Sequence, residues 1–419
     1  MDQAPENQFK KVHDPADAET HAFAFNGTRP AFARLLAINT LLTLLTIGIY
    51  RFWAKTKIRR FFWRNVTFLD DPLEYTGTGG ELFVGFLIVI AVLFPLGLIY
   101  SAIGAVVPPA HPELEIALEV AYYIVLFALL QIGFYRMWRY RMSRTMWRGV
   151  RFGLDGSTWA YLKLSAGWSV LTALTLGAAY PWMKIDLWRY QIRHTRLGDQ
   201  AFRFEGNAKA LFAAWSPVFV IGLLYIATLI TFLYNFGFEP AEIARALRED
   251  QNGLFKTIMF VFAGLGLLSI IAYFHYAIRQ ARFQISGIRL GEARFHSGLP
   301  FKRLFWFAAL TILIFVLALA AVSGTFGITI YSGISHLPGD GLQASAASAV
   351  VGLYVIVFVM LLLIAPFVWA LVFKFELIKQ TVKTTAVTDP HVLENAAQIA
   401  DRGPRTGEGL ADALDIGGF

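Results

Sequence analysis

Two matched stretches carry the residues best suited to chemistry, LLTLLTIGIYRFWAK (Leu41–Lys55) and VLTALTLGAAYPWMK (Val170–Lys184). Each sets two threonines and a glycine at the same spacing: Thr43, Thr46 and Gly48 in the first, Thr172, Thr175 and Gly177 in the second. Threonine supplies ligand oxygens and glycine permits close backbone approach, so these six residues are the candidate lining of a substrate pathway. Interrupted apolar segments in matching positions are a pointer to a transport site. Asp186, just past the second exit, is the candidate coupling or gating acid. The plainer alternatives are that Thr and Gly allow tight helix packing in lipid, and that Asp186 pairs with Arg189 one helical turn on. Catalytic chemistry finds no foothold. The chain has no cysteine, which excludes disulfides, thiolate metal sites and cysteine nucleophiles. Its histidines are scattered, with no pair at ligand spacing, and no nucleophile elbow occurs. The glycine-rich YTGTGGE (Tyr75–Glu81) lacks the Lys-Ser/Thr of a phosphate-binding loop. No enzyme activity, cofactor or metal is expected.

The basic residues form a second candidate surface. Arg51, Lys55 and Arg59 recur at helical spacing, Arg141, Arg144 and Arg148 share a face, and Arg189 and Arg193 follow one another at i, i+4. Trp53, Trp63, Trp138, Trp147, Trp182 and Trp188 are interleaved with them. Basic residues beside interfacial tryptophans describe amphipathic helices on an anionic leaflet; solvated loops with aromatic anchors are the alternative. The expected partners are the bilayer and its anionic headgroups, and self-association stays open. Nucleic acid is not expected from the net charge of +8, because the Lys and Arg sit in blocks between apolar runs.

Those apolar runs must position both sets. The 419 residues are 56% apolar and 16% charged, against about 25% charged in soluble domains. Long runs occur near 82–107, 116–138, 210–236, 254–278, 304–327 and 348–373, each near the roughly 20 residues a bilayer core requires. Residues 1–20 hold no apolar stretch of the kind that opens a secretory signal. Strands ending in glycine punctuate the chain: FAFNG (Phe23–Gly27), LEYTG (Leu73–Gly77), RFGLDG (Arg151–Gly156), FRFEG (Phe202–Gly206) and ARFHSG (Ala293–Gly298). The Gly27–Gly77 and Gly156–Gly206 intervals are both 50 residues, which suggests an internal duplication. Basic blocks alternate with loops poor in Lys and Arg, which puts every strand, every basic loop and the C-terminus in the cytoplasm. A single apolar segment between two cytoplasmic strands then cannot cross once. The expected fold is therefore an all-α polytopic membrane protein with six spanning helices, two re-entrant segments (35–50 and 164–182) and short cytoplasmic β-strands; eight spans is the rival. The chain divides into a polar tail (1–20), two membrane units (21–150 and 151–287), a trailing strand and hairpin (288–383) and a mobile C-terminal tail (384–419).

The LTLLTIGIYRFWAKTKIRR and LTALTLGAAYPWMKIDLWRYQIRHTRLGDQAFRFEG stretches resemble the YjgN-like family of bacterial inner-membrane proteins, over about Ala22 to Thr388. The first copy departs, with Arg51-Phe52-Trp53 where the second has Tyr180-Pro181-Trp182. The resemblance implies an inner-membrane location and supplies no catalytic residues, since that family is a domain of unknown function. The leading functional expectation is a transporter or channel for a small solute or lipid, with its pathway between the repeats. The alternative is a non-catalytic scaffold that binds anionic lipid or a partner protein.

Overall fold

The computed structural model describes residues 20–108, 110–237, 239–249, 253–329 and 340–398. The polar tail expected at 1–20 therefore lies outside the described residues except for Thr20, as does the C-terminal tail beyond 398.

The order of elements is β1 (Thr20–Ala22), β2 (Ala24–Phe25), α1 (Arg29–Leu45), α2 (Arg51–Arg64), β3 (Val66–Phe68), β4 (Asp71–Tyr75), α3 (Gly79–Val106), α4 (Pro112–Ser143), β5 (Thr145–Trp147), β6 (Val150–Leu154), α5 (Thr158–Leu174), α6 (Tyr180–Arg193), β7 (Thr195–Leu197) and β8 (Gln200–Phe204). Then come α7 (Ala208–Phe236), α8 (Pro240–Glu249), α9 (Leu254–Ser286), β9 (Ile288–Leu290), β10 (Ala293–Ser297), α10 (Phe301–Thr329), α11 (Asp340–Trp369), a π-helical turn (Ala370–Lys374), α12 (Phe375–Lys383), β11 (Thr385–Thr388) and α13 (His391–Glu394).

The expectation of an all-α fold with incidental strands is overturned. Among the described residues, all eleven strands join one sheet in the order β1-β11-β10-β9-β8-β7-β6-β5-β4-β3-β2, each neighbour antiparallel. The two ends of that order are one extended stretch, because β1 and β2 are separated only by Phe23. β1 pairs with β11 and β2 with β3, so the sheet closes on itself. Closure leaves no sheet edge to seek another strand. Thr385–Thr388, expected as the start of a mobile tail, is a stave of this barrel.

One side chain from each stave meets in the lumen: Phe23, Phe68, Leu73, Trp147, Phe152, Leu197, Phe202, Leu290, Phe295 and Val387 belong to a single packed cluster. Register enforces it, since Leu73 faces Trp147, Phe152 faces Leu197, Phe202 faces Leu290 and Phe295 faces Val387 across their ladders. The Phe23 and Phe68 rings stack with centroids 4.5 Å apart. A barrel this narrow is filled by its own side chains. The lumen is a core.

Four two-residue hairpin turns lie at one end of the barrel, after Phe68, Trp147, Leu197 and Leu290. In the first two, both turn residues have positive φ (Leu69 and Asp70, Arg148 and Gly149), the twist that suits a tight antiparallel hairpin. The chain after β11 crosses these turns. Val392, Leu393 and Ala396 join the lumen cluster. The Asp199 amide donates to the Ala397 carbonyl (3.1 Å), and the Arg151 amide donates to Gln398 Oε1 (2.7 Å). Gly198 has a φ of +55°, and a Cβ there would stand 2.1 Å from that same Ala397 carbonyl. The turn end of the barrel is thus covered.

Helical hairpins leave the opposite end. Five times the chain runs from a strand through antiparallel helices to the next strand: α1–α2, α3–α4, α5–α6, α7–α9 and α10–α12. Among the described residues, α3, α4, α7, α9 and α10 are long and apolar enough to cross a membrane. α11 is also 30 residues long. In contrast α1 and α5 stop after 17 residues each and turn straight into α2 and α6. At 1.5 Å per residue they reach roughly 25 Å, short of the roughly 30 Å hydrocarbon core.

Candidate functional site

The matched threonine–glycine stretches form the two short corners, and their geometry is the same. The Gly48 amide donates to the Thr43 carbonyl and the Gly177 amide to the Thr172 carbonyl, both at 2.7 Å. Ile47 and Gly48 have φ values of 50° and 87°; Leu176 and Gly177 have 51° and 95°. The Thr46 hydroxyl donates to the Leu42 carbonyl (2.8 Å) and accepts from the Tyr50 amide (2.9 Å). The Thr175 hydroxyl donates to the Leu171 carbonyl (2.8 Å) and accepts from the Ala179 amide (3.1 Å). One hydroxyl thus serves the last turn of one helix and the first of the next, satisfying groups that helix ends leave open. Thr43 donates to the Asn39 carbonyl at 2.7 Å, and Thr172 lies 3.8 Å from Met183 Sδ. The six residues sit at two separate hairpin tips, and the second tip is also tied to α7, where Trp215 Nε1 donates to the Gly177 carbonyl at 3.0 Å. Asp186 pairs with Arg189.

The basic residues are dispersed as well. Arg59 and Arg141 are buried, Arg59 donating to the Tyr75 hydroxyl at 3.1 Å. Arg144 pairs with Glu81, whose other oxygen accepts from the Tyr140 hydroxyl. Arg148 lies at a turn on the covered end, bonded to Asp71 and near Glu394. Lys55, Arg144 and Arg189 are half-buried, and Arg51 and Arg193 are exposed. Beside Arg189 on α6, burial raises the pKa of the Tyr190 hydroxyl, against the lowering effect of its bond to the Ser157 carbonyl.

A spacing that sequence reading missed explains the place of Arg189 and of three further arginines. Arg60, Arg139, Arg189 and Arg282 each reach a backbone carbonyl 17 residues on: Gly77 (2.8 Å), Gly156, Gly206 (2.9 Å) and Leu299 (2.7 Å). Each clamps the corner where a strand leaves the barrel for the next helix. Three of those carbonyls belong to the strand-ending glycines, so the signal R-x16-G stood in the sequence. At Gly77 a Cβ would lie 2.6 Å from the Tyr75 hydroxyl, and at Gly206 2.6 Å from the Phe204 ring, each side chain closing over its glycine.

Where α7 meets α9 near the barrel, a cavity of about 400 Å³ is lined by Ala210, Leu211, Ala213, Ala214, His275, Arg279, Arg282, Phe283 and Ser286. Its lining holds three basic side chains and no carboxylate. On the far side of α9 an apolar cavity of about 500 Å³ runs between Phe274, Ile278 and Trp369. Among the described residues no group of three His, Asp or Glu could hold a metal ion.

The family model described as "Bacterial protein of unknown function (DUF898)" matches residues 20–413, which take in every stave and every hairpin. The chain belongs to that family. The family resemblance carried by the threonine–glycine and basic stretches is thereby confirmed. The chain is 30% identical over 149 residues to the inner membrane protein YjgN of Salmonella typhimurium, covering 35% of each chain. It is 26% identical over 170 residues to the inner membrane protein YjgN of Escherichia coli O157:H7 and to that of strain K12, covering 41% of this chain and 40% of the relative. The chain thus spans between 35% and 40% of the length of the curated relatives it matches. No solved structure matches. These relatives are inner membrane proteins by name, and this chain's apolar hairpins suit that setting.

Proposed function

We propose that the chain is a non-catalytic inner-membrane scaffold that binds anionic lipid at the rim where its hairpins leave the barrel. The observation that carries this is the filled lumen. Ten side chains meet inside the barrel and the segment after β11 covers one end, so the axis offers no passage. The surface open to a ligand lies at the rim, among basic residues and exposed Trp159 and Trp306, both within the first turns of their helices. Aromatic and basic residues at one level suit a membrane interface.

In this reading the barrel faces the cytoplasm, as the basic loops favour. Single cysteines at Thr78, Ser157 and Asn207, the N-caps of α3, α5 and α7, test that in the cysteine-free chain. An impermeant thiol reagent applied to intact cells should leave all three unlabelled and label a cysteine at Ala110. The binding itself is read by lipid copurification: anionic lipid should be enriched over zwitterionic lipid, and equal recovery would end the proposal.

A second reading, transport between the hairpins, rests on Asn39. This side chain of α1 is 2% exposed, and among the described residues neither its amide nitrogen nor its oxygen has a hydrogen-bond partner. A buried amide without partners is costly and calls for an explanation. Solute flux into proteoliposomes that is lost in Asn39→Leu, with folding retained, would favour transport.

A further inference from the structure

The cavity between α7 and α9 deepens the scaffold reading and rests on it. We infer that this cavity is a specific site for a phosphate-bearing anion, the headgroup of an anionic phospholipid.

Position comes first. Ala210, Ala213 and Ala214 lie in the first two turns of α7, and His275, Arg279, Arg282 and Ser286 in the last turns of α9. The cavity therefore sits near the barrel end of two helices long enough to cross a membrane, which on the rim reading is the level of the headgroups. Charge comes second. Arg282 is engaged with the Leu299 carbonyl, which holds its guanidinium in place. Arg279 is exposed and makes no salt bridge among the described residues. Three positions before the clamp arginine of α6 stands Asp186, which pairs with Arg189. In α9 that same position is Arg279, so here the charges add. The start of α7 contributes the positive end of a helix dipole. Size comes third. About 400 Å³ falls within the range of small-molecule sites and accepts a glycerophosphate group. The alanines leave that volume open, and the apolar faces of α7 and α9 continue beyond it for acyl chains.

The test uses the full chain in detergent, with native mass spectrometry of bound phosphatidylglycerol against phosphatidylcholine. Arg279→Ala should weaken phosphatidylglycerol binding about tenfold, as the loss of one charge-assisted contact implies, and Arg279→Lys should restore part of it. Ala210→Leu, on an exposed position of the lining, should weaken binding without any change of charge. Lys256→Ala, exposed in the first turn of α9 at the end away from the cavity, should leave it unchanged. If the wild type prefers phosphatidylglycerol but neither cavity variant alters that preference, the cavity is not the site while the rim reading survives. If the wild type shows no preference, both fall. If inorganic phosphate alone binds with the same Arg279 dependence and displaces the lipid, the site takes the free anion and the lipid assignment is overturned.

Discussion

The short hairpins, α1–α2 and α5–α6, and the long ones, α3–α4 and α7–α9, grow from the same barrel rim yet solve different problems. In the short pair the outgoing helix has 17 residues and the return helix 14. In the long pairs the outgoing helices have 28 and 29 residues and the returns 32 and 33. The short returns turn basic within their first two turns, at Arg51 and Lys184, and their corners expose Ile47, Leu174 and Leu176. A tip this apolar on a helix this short suits insertion into one leaflet, with Lys and Arg stems reaching back to the headgroups. The long hairpins stay apolar through their middles, where Phe94 and Ile124 are exposed. A shared base therefore does not impose a shared hairpin length. Length follows from where charge re-enters the chain.

Changes to the common base should have the largest effect. Phe202→Ala empties part of the lumen and should cost about 3–5 kcal/mol in chemical unfolding, with short and long hairpins becoming protease-sensitive together. If only one kind loosens, the barrel is not their common support. The next effect separates the two kinds. Phe94→Arg, midway along α3, should cost about 2.5–3.5 kcal/mol of apparent insertion free energy. Ile47→Arg, at a short corner and 94% exposed, should cost under about 1 kcal/mol in the same insertion assay, because the interface is near. Equal costs would place both at the same depth. At the corners themselves, Gly48→Ala and Gly177→Ala should each cost about 1–2 kcal/mol, from positive φ alone, since no atom stands within 4 Å of either added Cβ. Gly97→Ala, inside α3 and without a neighbour, should be neutral or stabilising in the same thermal-shift measurement. Below the corner glycines come the hydroxyls: Thr46→Val and Thr175→Val should each cost about 1 kcal/mol. Loss of flux or ligand binding with unchanged stability would instead return these threonines to a pathway.

The sequence by itself determined the membrane setting, the family and the places where the chain turns. Long apolar runs admit few solutions, since a backbone in lipid must satisfy its own hydrogen bonds. The five glycine-ended strands were legible because each carries alternating bulky residues over five or six positions. Their partners were not. NVTF, RTMW, HTRL and GIRL begin as the last residues of basic helices, and a strand of three residues is too short to show a period. The turn pairs Arg148–Gly149, Gly198–Asp199 and Gly291–Glu292 were the one available sign that a hairpin stood there. Only the tertiary structure decided that these strands close into a barrel, because closure depends on β1 meeting β11 across more than 360 residues. It decided the fate of the charges for the same reason. Arg141 and Arg193 look alike along the chain, and burial of one and exposure of the other follow from which face the barrel presents to each helix.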